Sequence, residues 1–328
     1  MKFLKKVLYG FLILLLTLVF LMFIPRIWSS LNPQKAPVGY YFIGPTMVAL
    51  YTGLETIINK TPPVPDNVEA IKNIEYKKIN ERSLQLDIYK PKGMTKPAPL
   101  LVFIHGGTWK SGDRADYLVY LTHFANLGYV TATVSYRLLK VAPYPACVED
   151  ILDAVQFLYQ NGEKYNYDPD RICLIGSSAG AHLAMLAGYG WKKQGAADST
   201  SNSIGKHKIK AVVENYGPVD FTTEYARNHP DIIRFMAHSY QEAPQLYTEA
   251  SPITYVTKDT PPTLIIQGTS DTLVPLSEAE LLKHKMDSLG VTNVYRPLPG
   301  WPHAAELDQR VNDYVKATMG DFFEKYVK

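Results

Sequence analysis

Cysteine is nearly missing from this chain: Cys147 and Cys173 are the only two in 328 residues. Two thiols cannot build a disulfide framework, and nothing in their surroundings pairs them. Cys173 sits inside an apolar run and Cys147 near a helix start, so both read as unpaired thiols. No Cys/His cluster has zinc-ligand spacing, and neither a G-x-G-x-x-G string nor a P-loop occurs. Neither a metal nor a nucleotide cofactor is indicated. An excess of either charge is also lacking, with 34 basic against 31 acidic residues and a formal net charge of +3. With no basic stripe interleaved with aromatics, nucleic acid is not an expected partner. Internal repeats are absent as well.

Locally, charge disappears altogether. Residues 7–24 form an uncharged run of 18 residues, preceded by Lys2, Lys5 and Lys6 and ended by Pro25-Arg26. As a helix it would span about 27 Å, close to the hydrocarbon thickness of a bilayer. It shows no apolar/polar periodicity, which sets it apart from a buried helix of a soluble domain. It exceeds the usual apolar region of a signal peptide and lacks an A-x-A-like cleavage site. Residues 1–30 are therefore expected to be an uncleaved single-pass anchor. Its lysines hold the N-terminus in the cytoplasm and leave the rest extracytoplasmic. Secretion after cleavage near Trp28-Ser29-Ser30 is the alternative. Residues 38–58 form a second apolar stretch, interrupted by Gly39, Gly44, Pro45, Gly53 and Glu55. It is read either as a cap over an active site or as a helix lying in the bilayer interface, where tyrosine is favoured. Thr61-Pro62-Pro63-Val64-Pro65 then reads as a stiff linker. The expected division is anchor 1–30, cap or interfacial segment with linker 31–66, and catalytic domain 67–328.

Within that domain, Gly176-Ser177-Ser178-Ala179-Gly180 follows the apolar run Arg171-Ile172-Cys173-Leu174-Ile175 and precedes Ala181-His182-Leu183-Ala184-Met185. Strand, tight turn and helix give a G-x-S-x-G string mechanical meaning, because that turn presents the serine hydroxyl at the end of a sheet. Side chains at 176 and 180 would collide where strand and helix pass. Ser178 is thus a candidate nucleophile, and it needs a base with an orienting acid. Downstream, the apolar run 263–267 empties into Gly268-Thr269-Ser270-Asp271. Another short strand, 293–296, leads to Leu298-Pro299-Gly300-Trp301-Pro302-His303. The order Ser178, Asp271, His303 is that of α/β-hydrolases. His123, His182, His207, His229, His238 and His284 lack the strand-then-loop context and read as surface or packing residues. Upstream, the apolar strand 100–104 runs into His105-Gly106-Gly107-Thr108-Trp109, a loop whose backbone N–H groups can gather round a developing oxyanion. His105 is expected to pin that loop, and Trp109 to pack.

These motifs resemble the esterase/lipase branch of the α/β-hydrolases, related to hormone-sensitive lipase, kynurenine formamidase and small carboxylesterases. Ser135-Tyr136-Arg137-Leu138, the segment from Tyr144 to Asp150 and Tyr167-Asp168-Pro169-Asp170-Arg171-Ile172 fit it too. The resemblance implies Ser178 as nucleophile, His303 as base and Asp271 as acid. It also implies an oxyanion hole from the backbone N–H groups of Gly107, Thr108 and Ala179. Many relatives carry glycine where this chain has Thr108, whose side chain is expected to narrow the acyl pocket or restrain the loop.

The remainder alternates strand and helix patterns. An antiparallel opening pair is expected over 74–79 and 84–89, a helix around 117–126, and a strand over 129–135. Val148, Ile151, Leu152, Val155 and Leu158 predict a helix over 147–159. A polar insertion over 195–208, a strand over 211–215 and a lid or specificity region over 218–252 follow. Alternation of this kind predicts an α/β-hydrolase fold, with a mostly parallel sheet flanked by helices and catalytic loops at the carboxyl ends of its strands. The expected activity is hydrolysis of a small-molecule carboxylic ester, with short or medium acyl chains, by a protein held in a lipid bilayer. The same machinery serves amide hydrolysis, as in an aryl-formamidase or peptidase. An inactive hydrolase fold used for binding is the reading from a different class.

Overall fold

A computed structural model describes residues 2–192 and 209–328; the polar insertion expected at 195–208 lies outside them. The strands are β1 (Val68–Ile79), β2 (Arg82–Pro91), β3 (Ala98–Ile104), β4 (Val130–Val134), β5 (Tyr167–Ser177), β6 (Ala211–Asn215), β7 (Thr263–Gly268) and β8 (Asn293–Leu298). Among the described residues they join in one eight-stranded sheet, in the order β1-β2-β4-β3-β5-β6-β7-β8. β1 and β2 form an antiparallel hairpin, and β2 meets β4 antiparallel. From β4 to β8 every pairing is parallel. The central strands β3, β4, β6 and β7 are buried along their whole length. That is why β3 reads as a continuous apolar run and not as an alternating one.

The helices are α1 (Lys2–Leu31), α2 (Ile43–Tyr51), α3 (Leu118–Asn126), α4 (Ala146–Gln160), the one-turn α5 (Gly162–Tyr165), α6 (Ala179–Tyr189), α7 (Glu224–Asn228), α8 (Pro230–Met236), α9 (Pro244–Glu249), α10 (Leu276–Ser288) and α11 (Gln309–Tyr326). The period-2 geometry of β3 sorts its side chains between two cores. Leu100, Val102 and Ile104 join Val148, Ile151, Leu183 and Leu282 from α4, α6 and α10 on one face. Leu101 and Phe103 join Leu121, Phe124, Phe322 and Phe323 from α3 and α11 on the other. Both cysteines are buried free thiols.

The residues before β1 are stitched to the far end of the chain. Gly39 N–H donates to the Pro299 carbonyl (2.7 Å) and Tyr41 N–H to the Gly300 carbonyl (2.9 Å). Trp301 Nε1 donates to the Pro37 carbonyl (2.9 Å). Ile58 N–H reaches Leu307 and Gln309 N–H reaches Thr56, at 2.9 and 2.8 Å. α1 contains a 29-residue stretch, Phe3–Leu31, long and apolar enough to cross a membrane, and its most apolar window is wholly unburied.

Candidate active site

Gly176 and Gly180 are dictated by close approach. A Cβ at Gly176 would run into the Gly180 carbonyl, and one at Gly180 into the Ile104 carbonyl oxygen. The turn between them leaves Ser178 at φ 55° and ψ −123°, in a region that strains a residue with a side chain. Its backbone is held from both sides: Ser178 N–H donates to Asn215 O (2.8 Å), and His182 N–H donates to Ser178 O (3.1 Å). The hydroxyl therefore stands at the end of β5 and the start of α6.

The structure brings Ser178, Asp271 and His303 together from three strand ends. His303 Nδ1 lies 2.7 Å from Asp271 Oδ2, and Nε2 lies 3.0 Å from Ser178 Oγ. An ionised carboxylate only accepts, so Nδ1 carries the proton and Nε2 is left to accept from the serine hydroxyl. The Asp271 side chain is fully shielded from solvent. Its Oδ1 accepts from the N–H groups of Leu273 (2.8 Å) and Val274 (2.9 Å), and its Oδ2 also accepts from Gln267 Nε2 (3.1 Å). The loops bearing the acid and the base are bonded to each other. Thr269 N–H donates to Leu298 O and Ser270 N–H to Trp301 O, both at 3.0 Å, while Thr269 Oγ1 accepts from Gly300 N–H at 2.8 Å. The Asp271–His303 geometry is therefore set by backbone, not by surface side chains.

The loop after β3 passes beside this site. Gly107, Thr108 and Trp109 all have positive φ, at 103°, 50° and 57°. The Gly107 carbonyl turns away to accept from Lys110 and Ser111 N–H, at 3.1 and 3.0 Å. No hydrogen bond from the N–H of Gly107, Thr108 or Ala179 is found among the described residues. His105 stacks on Tyr136 with ring centroids 4.4 Å apart, and its pKa is lowered by burial. Tyr136 OH donates to the His105 carbonyl (2.8 Å), so this histidine pins the loop. Trp109 stacks on Phe235 at 4.2 Å and packs edge-on to His182 and Phe221. His182 is buried beyond reach of solvent, its pKa is pushed down to about 4 by that burial, and it is tied to the Ala250 carbonyl at 2.7 Å. It is a core residue.

A cavity of about 20 Å³ opens at Ser178, walled by Thr108, Trp109, Ala179, Ile232 and Val274. Pro218, Tyr225, His229 and Asp231 also line it, so the first part of the segment 218–252, expected as a lid or specificity region, borders the serine. Residues 31–66 contribute nothing to that lining; they lie against Gly300, Trp301 and α11. A wider cleft of about 620 Å³ lies between residues 29–37 and α11, away from the serine.

The family described as BD-FAE matches residues 86–286, which hold the glycine loop, the serine turn and Asp271. The chain belongs to that family. Among its relatives is the esterase LipC of Mycobacterium tuberculosis (strain ATCC 25618 / H37Rv), 30% identical over 264 residues, 76% of this chain and 64% of that protein. Another is the probable isoprenylcysteine alpha-carbonyl methylesterase ICMEL1 of Arabidopsis thaliana, 24% identical over 72% of this chain and 54% of that one. The chain spans 54–64% of the length of the three mycobacterial relatives it matches. A truncated carbohydrate esterase from gut microbiota superposes with a TM-score of 0.66 at 26% identity, over 80% of this chain and 98% of that one. Esterase 2 of Thermogutta terrifontis, with butyrate bound, shares the fold with a TM-score of 0.67 at 22% identity, over 78% and 94% of the two chains. The fold is that of an α/β-hydrolase of the esterase/lipase group.

Some neighbours of the site carry no signal in the sequence. The Tyr216 ring lies edge-on to His303 with centroids 4.6 Å apart, and its hydroxyl donates to Glu306. Glu306 is half-buried, and the loss of solvent around its carboxyl raises its pKa. His229, which reads from sequence as a surface or packing residue, stands on the cavity rim. Gln267, a lone amide ending an apolar strand, is the one such neighbour whose position in the sequence is itself a clue.

Proposed function

We propose that the protein is a serine hydrolase of carboxylic esters, with Ser178 as nucleophile, His303 as general base then acid, and Asp271 as the orienting carboxylate. One observation carries this reading: His303 bridges Ser178 Oγ at 3.0 Å and a buried Asp271 at 2.7 Å. Ser178 Oγ attacks the ester carbonyl as Nε2 takes its proton. Asp271 keeps Nδ1 protonated and stabilises the imidazolium. The N–H groups of Gly107, Thr108 and Ala179 receive the oxyanion, for which loop and helix start are already in place. His303 then protonates the departing alkoxide, and water repeats the cycle on the acyl-enzyme.

The cavity favours short acyl groups. Space of about 20 Å³ is little more than one water or methyl group needs. That size supports a short acyl group over a long one. The esterase names of the relatives support ester over amide hydrolysis. The domain stands outside the cytoplasm, carried by α1 as a single span.

Turnover of the full chain in mild detergent tests this on nitrophenyl esters of graded chain length, with formanilide and peptide amides alongside. Acetyl ester turnover falling with chain length is the expected result. Faster cleavage of the amides, or fluorophosphonate labelling at a residue other than Ser178, would overturn it.

A further inference from the structure

The stretch 38–58, read from sequence as a cap or an interfacial helix, holds the nine-residue α2, and this helix is inside out. In α2, Thr46 and Ala49 face the protein, at 6% and 0% exposure, while Met47, Val48 and Tyr51 are 56%, 51% and 95% exposed. Phe42 at its N-cap is 74% exposed. Met47, Val48 and Tyr51 stand at i, i+1 and i+4, and so share one face. Thr46 tolerates burial because its hydroxyl bonds the Phe42 carbonyl at 2.9 Å. A face of this kind in water is an uncovered apolar patch, and such patches mark a contact with a partner or a membrane.

The identity of the covering follows from how α1 is fastened. Tyr40 OH donates to the Met22 carbonyl (3.3 Å) and to Glu55 Oε1 (3.0 Å). Arg310, from α11, donates to the Pro25 carbonyl (3.4 Å) and to Ser29 Oγ (2.8 Å). Its other nitrogens pair with the buried Glu55. These bonds fix the lower end of α1 to the catalytic domain, so the anchor is not a loose tether. They also fix a height. Met22 lies two residues before the end of the uncharged run at Ile24, about 3 Å along the helix axis. Tyr40 therefore stands level with the end of the apolar span, where aromatic side chains are favoured, and α2 begins three residues after it.

We propose that α2 and its flanking aromatic residues dock in the interface of the bilayer that α1 spans, and so hold the catalytic domain in one orientation on the lipid surface. Gly39 and Tyr41, in the docked segment, bond Pro299 and Gly300 in the loop that carries His303. The loop that carries His303 thus rests on the membrane-facing segment. The inference rests on α1 as the span. It does not depend on the ester chemistry, and turnover is not its readout.

The test uses the full chain in phosphatidylcholine/phosphatidylglycerol vesicles, with an environment-sensitive fluorophore on Met47→Cys or on Glu81→Cys. Glu81 lies in the β1–β2 turn, at the sheet edge opposite β8. The native cysteines are buried and do not compete for label. Lipids brominated on their acyl chains should remove most of the emission at 47 and leave that at 81 unchanged, while aqueous iodide does the reverse. Combining Phe42→Gln, Val48→Gln and Tyr51→Gln with the label at 47 should restore iodide access, with the protein still floating with the vesicles. Failure to float overturns the span itself. Flotation with equal quenching at both sites overturns the docking. A label at 47 shielded from both quenchers also overturns it, and points to a second copy of this chain as the cover.

Discussion

Helices α4 and α2 sort their residues in opposite senses. In α4, Val148, Ile151, Val155 and Leu158 are buried, and Asp153 and Gln160 face solvent. In α2 the threonine and alanine are inside, and methionine, valine and tyrosine are outside. The first arrangement is what water imposes, since apolar area removed from water is the main favourable term in folding. The second costs stability in water and costs none against hydrocarbon. On the proposed docking, one chain folds against two solvents, with the boundary close to Arg310 and Glu55. Ser178 and Asp271 are held by contacts within the sheet-and-helix domain, whereas the loop that carries His303 also bonds the segment before α2, through Gly39 and Tyr41.

The largest way to separate the two regions is chemical. Ser178→Ala or His303→Ala should cost on the order of 10⁵-fold in ester turnover, and the double variant little more, because the three residues act as a unit. Neither should change pelleting with membranes or its resistance to high salt and alkaline carbonate. Loss of membrane attachment in Ser178→Ala would mean that the two regions are coupled in a way the contacts do not indicate.

A smaller effect tests the packing contrast itself. Leu158→Ala removes a fully buried side chain from α4 and should cost about 2–5 kcal/mol. Val48→Ala on the outer face of α2 should stay within about 0.5 kcal/mol in detergent. Thermal unfolding of the solubilised chain measures both, and equal losses would remove the distinction.

How far each region was legible follows from the same contrast. The serine turn is readable because Gly176 and Gly180 answer to steric collisions between β5, α6 and β3 that no other residue type avoids. The acid and base are readable because buried strands announce themselves as apolar runs, and loops after them carry chemistry. The edges are less clear: β1 begins at Val68, earlier than the expected 74, because Lys72-Asn73 and a register shift between Ile71 and Ile74 interrupt its alternation. The short helices α7, α8 and α9 give too few turns for periodicity to show. For α2 the pattern is present, but periodicity says only that a helix has two faces. It does not say which of them meets protein when the other meets lipid. Tyr216 meets His303 through tertiary packing alone.

The pH dependence of stability gives a test confined to the watery side. Glu214 is wholly buried at the end of β6, accepts from Gly217 N–H, and has its pKa raised to about 8, chiefly by burial and then by repulsion from Glu278 and Asp271. A carboxyl whose pKa is higher folded than unfolded contributes stability that is complete below the ordinary glutamate value and lost as pH rises toward and past 8. Glu214→Gln should therefore flatten the fall in melting temperature between pH 5 and pH 9, with a gain of roughly 2–4 kcal/mol at the alkaline end. An unchanged slope would place the proton elsewhere, on Glu278 or Glu306, which burial shifts in the same direction.

The smallest expected effect concerns Thr108, where local strain and substrate size meet. At φ 50° a β-branched residue occupies a region that suits glycine, at a cost of about 1–2 kcal/mol. Glycine would relieve that strain but also loosen the unfolded chain by a comparable amount. The net change in stability of Thr108→Gly should thus lie within about 1 kcal/mol of zero. Activity is more informative, because Thr108 walls the cavity of about 20 Å³ beside Ser178. Each methylene accommodated in a pocket is worth about 1–3 kcal/mol at most. Thr108→Gly should therefore lower the preference for acetyl over butyryl esters by up to about tenfold, with acetyl turnover nearly kept. If the side chain served only to stiffen the loop, the variant would lose turnover equally at every chain length, through a poorly held N–H at the oxyanion. The ratio of kcat/KM values across the ester series separates these outcomes.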